Sequence, residues 1–443
     1  RQRSAKPLCP SSNLGGASRK RIQFYWVLFF TFYCTFILTC NRMYKIYPKG
    51  DLIMQNKYPV VLCHGMFGFG QQEITERVLP YYGLWNVHIR KMFDKEGVHC
   101  VAPSLGPYNG AWDRACELYA QLVGGRVDYG KVHSAKYGHE RYGRKYKALL
   151  PEWGKKDKDG NIIKINLIGH SFGGVTARLL TELLINGSKE EIEGTPANEL
   201  SPLFKGGNRN LVHSITTLAS PHNGASIGEK TTGKVIVALC IKICQLFNIV
   251  DSTPLQRIYD LNLDRFGITT PPSLTKFKIE NKDEEIKKYF KDNTDNIVYD
   301  LSYKGSEELN NKIEVQDNIY YFSYRGQRTE PKLHGLIQWP GAHSFPVLLP
   351  FGIIMGVNRI EAPSADWLAN DLVINTISGT APSNAKSVDF TSVTEYKPGI
   401  WHVMPLEVKD HMSYLGWAED KNVYRDFYHD IYNRVSSLPT INK

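Results

Sequence analysis

Short runs of β-branched, aromatic and aliphatic residues recur along the chain from about residue 58 onward, each bounded by polar or turn-forming residues. Such runs are typical of buried strands. They span residues 59–64, 98–103, 162–168, 211–219 and 319–324. The segments between them carry apolar residues at helical spacing. Alternating strands and helices predict an α/β fold, with a mostly parallel sheet covered by helices on both faces.

The helical spacing is clearest directly after Ser171. One face of the predicted helix collects Val175, Leu179, Leu180, Leu183 and Leu184. Two other segments differ in composition. Residues 278–293 are rich in Lys, Asp and Glu, and are interpreted as an exposed helix or loop. Residues 235–250 are apolar apart from three polar positions, and predict a helix that is apolar nearly all round.

The N-terminal residues 24–40 contain no charged side chain and follow Arg19, Lys20 and Arg21. This pattern is typical of a short membrane-spanning helix or of the apolar part of a signal peptide. Because no small-x-small cleavage site follows, we favour an uncleaved signal-anchor, with the basic cluster cytoplasmic and the remaining chain lumenal or extracellular. A cleaved signal of a secreted protein and an isolated buried helix are the alternatives. The predicted division is residues 1–41 for this segment and 42–443 for one large domain.

Composition and charge exclude one class of function. Of the 443 residues, 42% are hydrophobic, which is enough for a sizeable core. The formal net charge is +10, but Lys and Arg are scattered, so a solvated surface is favoured over a patch for anionic lipid. Since no nucleic-acid-binding motif accompanies the basic residues, nucleic acid is not expected as a partner. The eight cysteines form no dense disulfide framework and are interpreted mostly as buried free thiols.

The strongest chemical signal is the sequence Gly-His-Ser-Phe-Gly at residues 169–173, which matches G-x-S-x-G between a predicted strand and a predicted helix. A strand, a sharp turn and a helix are the context of a nucleophile elbow, so Ser171 is the candidate nucleophile. At a helix N-terminus, backbone N–H groups favour developing negative charge. We expect the oxyanion hole to consist of the N–H groups of Phe172 and of Met66, which follows the first strand.

A serine nucleophile needs a histidine base that a carboxylate orients. In α/β-hydrolases the chain order is Ser, then Asp or Glu, then His. Three histidines lie late enough, namely His402, His411 and His429. Asp371, interpreted as a strand-end residue, and His411, in a loop before the last helix, fit this order. Several other aspartates fit it as well, so the spacing leaves both assignments open.

Four longer motifs go beyond a class of fold. They are WDRACELYAQLVGGRVDYG at 112–130, LSPLFKGG at 200–207, TTLASPH at 216–222 and YDLS at 299–302. With them the chain resembles the bacterial thermophilic and staphylococcal triacylglycerol lipases, from about residue 58 to the C-terminus with a divergent part near 226–290. The resemblance implies an α/β-hydrolase fold with a lid and a zinc-binding insert, here in a eukaryote-like membrane-anchored or secreted form. It also implies hydrolysis of long-chain acylglycerols.

The resemblance assigns residues to roles. The family's nucleophile elbow matches Ser171, and its catalytic histidine matches His411 after Asp410. Its catalytic aspartate lies in an Asn-Asp-Gly-Ile-Val-Asn-like segment, which places the role on Asp371. This chain has Leu372 where that segment has glycine.

The resemblance also implies metal sites. The family's structural zinc ligands, two aspartates and two histidines, match Asp113, His133, His139 and Asp295. Since the two histidines are six residues apart, we expect them to come from a loop. The residues alone indicate only polar surface positions. Calcium is not expected, because the family's calcium carboxylates are replaced by Ser413 and Ala418; a site shifted to Glu419 and Asp420 is the alternative.

The lid of the family matches residues 226–255, and the apolar segment 235–250 lies inside it. A mobile lid over an acyl pocket and a buried core helix both fit that segment.

The resulting hypothesis is a serine hydrolase that cleaves carboxylic esters of lipids, with triacylglycerol as the first substrate. A phospholipase A1 and a short-chain carboxylesterase are alternatives, and a catalytically silent lipid-binding protein is the alternative outside enzymes. The expected partner is a lipid ester at a membrane or emulsion surface, with residues 24–40 contributing to membrane association. No protein partner follows from the sequence.

Overall fold

Seven parallel strands form the central sheet of the protein. The computed structural model describes residues 56–84, 86–248, 258–268, 282–390 and 395–441. The strands in chain order are β1 Val60–Cys63, β2 Cys100–Val101, β3 Gly125–Asp128, β4 Tyr142–Tyr146, β5 Ile165–His170, β6 Val212–Leu218, β7 Tyr320–Tyr324, β8 Thr329–Lys332, β9 Ile337–Pro340, β10 Ser387–Asp389 and β11 Trp401–Val403. The sheet order is β10-β11-β7-β6-β5-β1-β2, and every pairing in it is parallel.

Helices connect these strands. In chain order they are α1 Ile74–Val78, α2 Ile89–Lys95, α3 Ala111–Val123, α4 Lys131–Tyr137, α5 Phe172–Ile185, α6 Lys189–Gly194, α7 Pro202–Lys205, α8 Lys230–Asn248, α9 Asp283–Asp292, α10 Ile297–Leu301, α11 Tyr303–Asn310, α12 Leu349–Val357 and α13 Lys421–Ser436. Two antiparallel pairs, β3 with β4 and β8 with β9, lie outside the main sheet.

The two faces of the sheet belong to two separate hydrophobic clusters. Within β1, Val61 packs in the cluster that contains α3 and α5, while Val60 and Leu62 pack in the cluster that contains α2 and α13. Neighbouring residues of a strand point to opposite faces, so this division follows from the pleat. A sheet buried on both sides explains why its strands are continuous apolar runs rather than alternating ones.

The predicted mostly parallel sheet with helices on both faces is confirmed. Each of the five predicted strands overlaps an observed one, although β2 keeps only two residues. The edge strand β10 and its neighbour β11 were not predicted, because three residues each give too short a pattern.

The charged segment at 278–293 was predicted to be an exposed helix or loop, and its described part contains a helix, α9, of which only one face is exposed. Within its described part, α9 turns Ile286, Tyr289 and Phe290 into the core, because residues three and four apart share one helical face. The helix predicted at 235–250 is α8. It buries one face, as at Ile236 and Cys240, and leaves apolar side chains exposed on another, as at Val235.

The cysteine interpretation holds for the described residues. Cysteines 63, 100, 116, 240 and 244 are buried and free. The predicted signal-anchor at 24–40 and the remaining three cysteines lie outside the described residues. Within the described part of the chain, no helix is both long and apolar enough to cross a membrane. All described residues belong to one compact unit, Asp51–Lys443, and the predicted boundary after residue 41 stays a prediction.

We expect Val61→Ala to lower the free energy of unfolding by about 2 kcal/mol, because it removes buried methyl groups and leaves a cavity. Val61 is 0% exposed and Val78 in α1 is 82% exposed. The same substitution at Val78 is therefore the matched control and should change this energy by less than about 0.5 kcal/mol. Urea unfolding followed by circular dichroism measures both. Equal effects would contradict the placement of β1 in the core.

Candidate active site

Ser171 lies at the sharp turn between β5 and α5. Its backbone has φ 55° and ψ −132°, a strained conformation for a residue with a side chain. Gly173 permits the start of α5 to approach the end of β1, because a Cβ there would clash with the carbonyl oxygen of Cys63. The predicted strand, turn and helix around Ser171 are therefore present, and the turn stands at the carboxyl edge of the sheet.

His411 and Asp371 form a buried pair. His411 Nδ1 is 2.9 Å from Asp371 Oδ2. The backbone N–H of His411 also donates to the backbone carbonyl oxygen of Asp371 at 2.9 Å. The other carboxylate oxygen accepts the N–H groups of Val373 at 3.0 Å and Ile374 at 2.6 Å. Both oxygens of Asp371 are thus engaged, which fixes the carboxylate toward the imidazole ring.

The other two candidate histidines have different partners. His402 lies in β11, where its Nδ1 donates to the Tyr321 carbonyl oxygen at 3.1 Å and its Nε2 accepts the Lys397 N–H at 3.2 Å. His429 lies on α13 and pairs with Glu96 at 2.9 Å. Of the three histidines, His411 is the one that contacts Asp371.

Asp371 was predicted at the end of a strand, and this placement is wrong. It lies in a tight turn that a bridge between Asn370 and Asn375 closes. Asn370 Oδ1 accepts the N–H of Leu372 at 2.9 Å, so local side-chain bonds replace those of a sheet. Leu372 has φ 83°, a left-handed conformation that favours glycine. Its side chain is nevertheless buried, packed against Gly352 of α12.

Ser171 and His411 are connected through the residue before the serine. The rings of His170 and His411 have centroids 4.6 Å apart, and His170 Nε2 is 3.0 Å from the His411 carbonyl oxygen. Ser171 follows β5, His411 follows β11 and Asp371 comes after β7. Because the carboxyl ends of parallel strands meet at one edge, residues far apart in sequence come together there.

Of the two predicted oxyanion donors, Phe172 directly follows Ser171 and Met66 follows a residue that packs on it. Phe172 supplies the first amide of α5, where the helix dipole is positive. Met66 follows Gly65 in the loop after β1, and a Cβ on Gly65 would lie 2.6 Å from Ser171 Cβ. Residues 64–66, which we call the oxyanion loop after their predicted role, thus pack directly on the turn at Ser171.

Sequence reasoning missed a buried arginine that supports this loop. Arg114 of α3 donates to the carbonyl oxygens of His64 and, at 2.7 Å, of Gly106, and its Nε donates to Thr176 of α5 at 3.0 Å. Burial lowers the pKa of Arg114 to about 10, so the side chain stays charged at neutral pH. The residue lies in the 112–130 motif, which was the one signal of its importance.

Asp113, His133, His139 and Asp295 form a cluster whose ligand atoms all lie within 4.8 Å of one another. His133 Nε2 is 3.4 Å from Asp113 Oδ1 and 3.3 Å from Asp295 Oδ2, and His139 Nε2 is 3.4 Å from Asp295 Oδ2. Burial by itself lowers the pKa of His133, but Asp295 and Asp113 raise it to about 9. The loop origin of the histidines was only half right, because His133 lies on α4 and His139 follows its end.

The cluster fits a tetrahedral metal ion. Bonds of about 2.0 Å place ligand atoms about 3.3 Å apart, close to the separations seen here. Among the described residues, the buried atoms Asp113 Oδ1 and His139 Nε2 make no hydrogen bond. Outer contacts orient the ligands: His139 Nδ1 lies 2.9 Å from the Glu140 carbonyl oxygen, and Arg265 pairs with Asp113. Of the four residues that the family resemblance assigned to the metal site, Asp295 lies farthest from the others in the sequence.

Comparison with known proteins agrees with this architecture. Lipase 1 of Staphylococcus aureus is 34% identical over 402 residues, which make up 87% of this chain and 55% of that protein. Lipase 2 of the same species is 37% identical over 372 residues, 82% of this chain and 50% of that protein. The chain thus spans about half the length of the curated relatives it matches.

The solved structure of Staphylococcus hyicus lipase has a TM-score of 0.71 and 31% identity, covering 88% of this chain and 98% of that one. Together with the parallel sheet, this similarity confirms the α/β-hydrolase fold and the resemblance to staphylococcal lipases. Residues 56–438 match the family model described as "Lipase-like, C-terminal domain". The match covers most of the sequence, and the chain therefore belongs to the family of lipase-like C-terminal domains.

Proposed function

We propose that the protein is a serine hydrolase that cleaves carboxylic ester bonds of lipids, with triacylglycerol as the first substrate. The observation that carries the proposal is the buried His411–Asp371 pair beside the strained turn at Ser171. A strained serine and a histidine oriented by a carboxylate are the arrangement that nucleophilic acyl transfer requires. Family membership supports the same reaction.

The proposed reaction has two halves. Ser171 Oγ attacks the ester carbonyl carbon while His411 Nε2 takes its proton, and Asp371 holds the proton on Nδ1 and stabilises the imidazolium. The N–H groups of Met66 and Phe172 bind the oxyanion of the tetrahedral intermediate. His411 then returns the proton to the departing alcohol oxygen, which leaves an acyl ester on Ser171. Water, deprotonated by His411, attacks that ester, and the fatty acid leaves as Ser171 regains its proton.

Exposed apolar side chains on the segments that carry Asp371 and His411 support a lipid substrate over a small soluble ester. We call them together the apolar rim, and they are Leu333, Leu336, Trp339, Val347, Val357, Ile360, Leu406 and Val408. These residues lie on the segments that follow β7 and β11, as do Asp371 and His411. The segment that carries Val347 of the rim is hydrogen-bonded to the residue before His411, because the Phe345 N–H donates to Asp410 Oδ2 at 2.7 Å. Clustered exposed apolar residues mark surfaces that meet another apolar phase.

The finer assignments belong to this proposal. A phospholipase A1 and a short-chain carboxylesterase share the chemistry and differ in the acyl and head-group pockets. A catalytically silent lipid-binding protein would use the rim without the serine. The lid at 226–255 stays a prediction, with α8 as its described helix. Placement of the enzyme in the lumen or outside the cell, through a signal-anchor or a cleaved signal at 24–40, stays a prediction as well.

We further propose zinc as the metal of the cluster at Asp113, His133, His139 and Asp295. Two imidazoles and two carboxylates suit zinc, and four protein ligands complete its shell without an open position. Zinc would therefore supply stability to the segments around α3, α4 and α10 and take no part in ester cleavage. The expected absence of calcium stays a prediction.

Ser171→Ala should abolish ester hydrolysis, with kcat reduced by about 10⁴-fold or more, because it removes the proposed nucleophile. Fatty acid release from emulsified long-chain triacylglycerol, phosphatidylcholine and a soluble short-chain ester measures the loss and identifies the preferred substrate. Ser383→Ala, at an exposed serine, is the matched control and should keep full activity. Equal activity of wild type and Ser171→Ala would refute the proposed nucleophile. If the wild type cleaves none of the three substrates, the lipid-binding alternative is favoured.

Asp295→Asn should remove the bound metal, because it deletes a buried anionic ligand. Elemental analysis should find about one zinc per chain in the wild type and in Asp292→Asn, an exposed neighbour that serves as the control. Tm should fall by several degrees in Asp295→Asn and in wild type treated with a chelator, and zinc should restore only the latter. Equal zinc content in both variants would be inconsistent with the site.

Trp339→Gln together with Ile360→Gln should weaken hydrolysis of emulsified triacylglycerol about tenfold, the effect of losing about 1.4 kcal/mol of apolar burial at the lipid surface. Cleavage of a soluble short ester should change little, since neither residue touches the proposed triad. Val78→Gln, at an exposed apolar position of α1 outside the rim, controls for general changes in surface polarity. Parallel losses on the emulsion and on the soluble ester would argue against a lipid-binding role of the rim.

A further inference from the structure

Two buried side chains outside the proposed triad connect the oxyanion loop with His411. The Tyr81 hydroxyl, in the turn between α1 and α2, is 3.0 Å from Gly65 N and 2.8 Å from His170 Nδ1. The other ring nitrogen of His170, Nε2, is 3.0 Å from the carbonyl oxygen of His411. The two side chains therefore form a continuous link from the oxyanion loop, residues 64–66, to the residue proposed as the general base. We call this link the Tyr81–His170 bridge.

The direction of each hydrogen bond in the bridge is determined by its end groups. The His411 carbonyl only accepts, so His170 Nε2 carries a hydrogen. Burial, with a further contribution from His411, lowers the pKa of His170 well below its usual value, and the ring is neutral. Its Nδ1 then accepts from the Tyr81 hydroxyl, whose oxygen in turn accepts the Gly65 N–H. Every donor in the bridge has one acceptor, and no alternative arrangement satisfies all of them.

The bridge is rigid as well as complete. Tyr81, His170 and Gly65 are all buried. The Tyr81 ring packs edge-on against His64 with centroids 5.6 Å apart, and the His170 ring lies 4.6 Å from that of His411. In such surroundings, removal of the hydroxyl leaves its hydrogen-bond partners unpaired. The loops at the two ends of the bridge are then no longer connected to each other.

We propose that Tyr81 and His170 are positioning residues that hold the oxyanion loop and His411 in register on either side of Ser171. Neither side chain needs to touch the substrate. The inference rests on the proposed hydrolytic function, because register matters only if Met66 N–H binds an oxyanion while His411 moves the proton. Both groups act most strongly in the transition state, so the bridge contributes to kcat and little to KM.

Tyr81→Phe tests the bridge, and Tyr321→Phe is its matched control. The Tyr321 hydroxyl is also buried and also accepts one backbone N–H, that of Gln316 at 3.0 Å, but it lies away from the oxyanion loop. In the full chain, Tyr81→Phe should lower kcat about 10- to 100-fold, somewhat less than loss of a whole oxyanion donor, with KM within about threefold. Tyr321→Phe should keep kcat within about twofold.

A transition-state analogue separates positioning from stability. An alkyl trifluoromethyl ketone forms a tetrahedral adduct with serine and needs the oxyanion hole. Tyr81→Phe should weaken its binding by the same factor as it lowers kcat/KM, whereas a merely destabilised but folded enzyme would bind it normally. His170→Gln, which retains an N–H donor toward the His411 carbonyl, should keep more activity than His170→Leu. These two variants carry the test if Tyr81→Phe does not fold.

Amide hydrogen exchange at Gly65 gives a readout that does not depend on hydrolysis. Exchange should accelerate in Tyr81→Phe and stay slow in Tyr321→Phe. Unchanged kcat, analogue binding and Gly65 exchange in Tyr81→Phe would overturn the bridge, as would equal kcat losses in both tyrosine variants. A wild-type chain that cleaves no ester would instead contradict the proposed function, and accelerated Gly65 exchange would then still support the bridge as a physical link.

Discussion

The close approach of the end of β1 to the first turn of α5 is the constraint on which the rest of the structure depends. Gly173 lies against the Cys63 carbonyl, and Gly65 lies against the side chain of Ser171. A Cβ at either position would push the oxyanion loop away from the serine. The strained backbone of Ser171 persists because β5 and α5 are both fixed by the sheet and its two clusters. The geometry of the candidate site is therefore a property of the whole sheet and not of one turn.

The two sites of the molecule differ in how their buried polar atoms are satisfied. Around Ser171 the protein pairs its own groups: the Asp371 carboxylate has three partners, and Arg114 is bonded to two loop carbonyls. In the cluster on α3 and α4, buried atoms such as Asp113 Oδ1 are left without a hydrogen bond among the described residues. These groups around Ser171 are paired within the protein, whereas the Asp–His cluster has the chemistry of a site that a cation completes.

The segments that follow β7 and β11 combine two tasks. They carry Asp371 and His411, and they also carry the apolar rim. The bond from the Phe345 N–H to Asp410 and the packing of Leu372 on Gly352 connect these tasks physically. Leu372 is buried in a backbone conformation that favours glycine, so its packing offsets the backbone strain. The apolar rim and the proposed acid–base pair are thus parts of one folded unit.

The sequence by itself determined the α/β class, the five main strands and the elbow at Ser171, because hydrophobic period and turn chemistry are local. It left Asp371 and His411 among several candidates, and only the motifs of a resembling family selected them. The tertiary structure alone decided that Asp371 sits in a turn closed by its neighbours, that α9 buries one face, and that Tyr81 and His170 link two loops. These features depend on contacts between residues far apart in the chain, which no local pattern encodes.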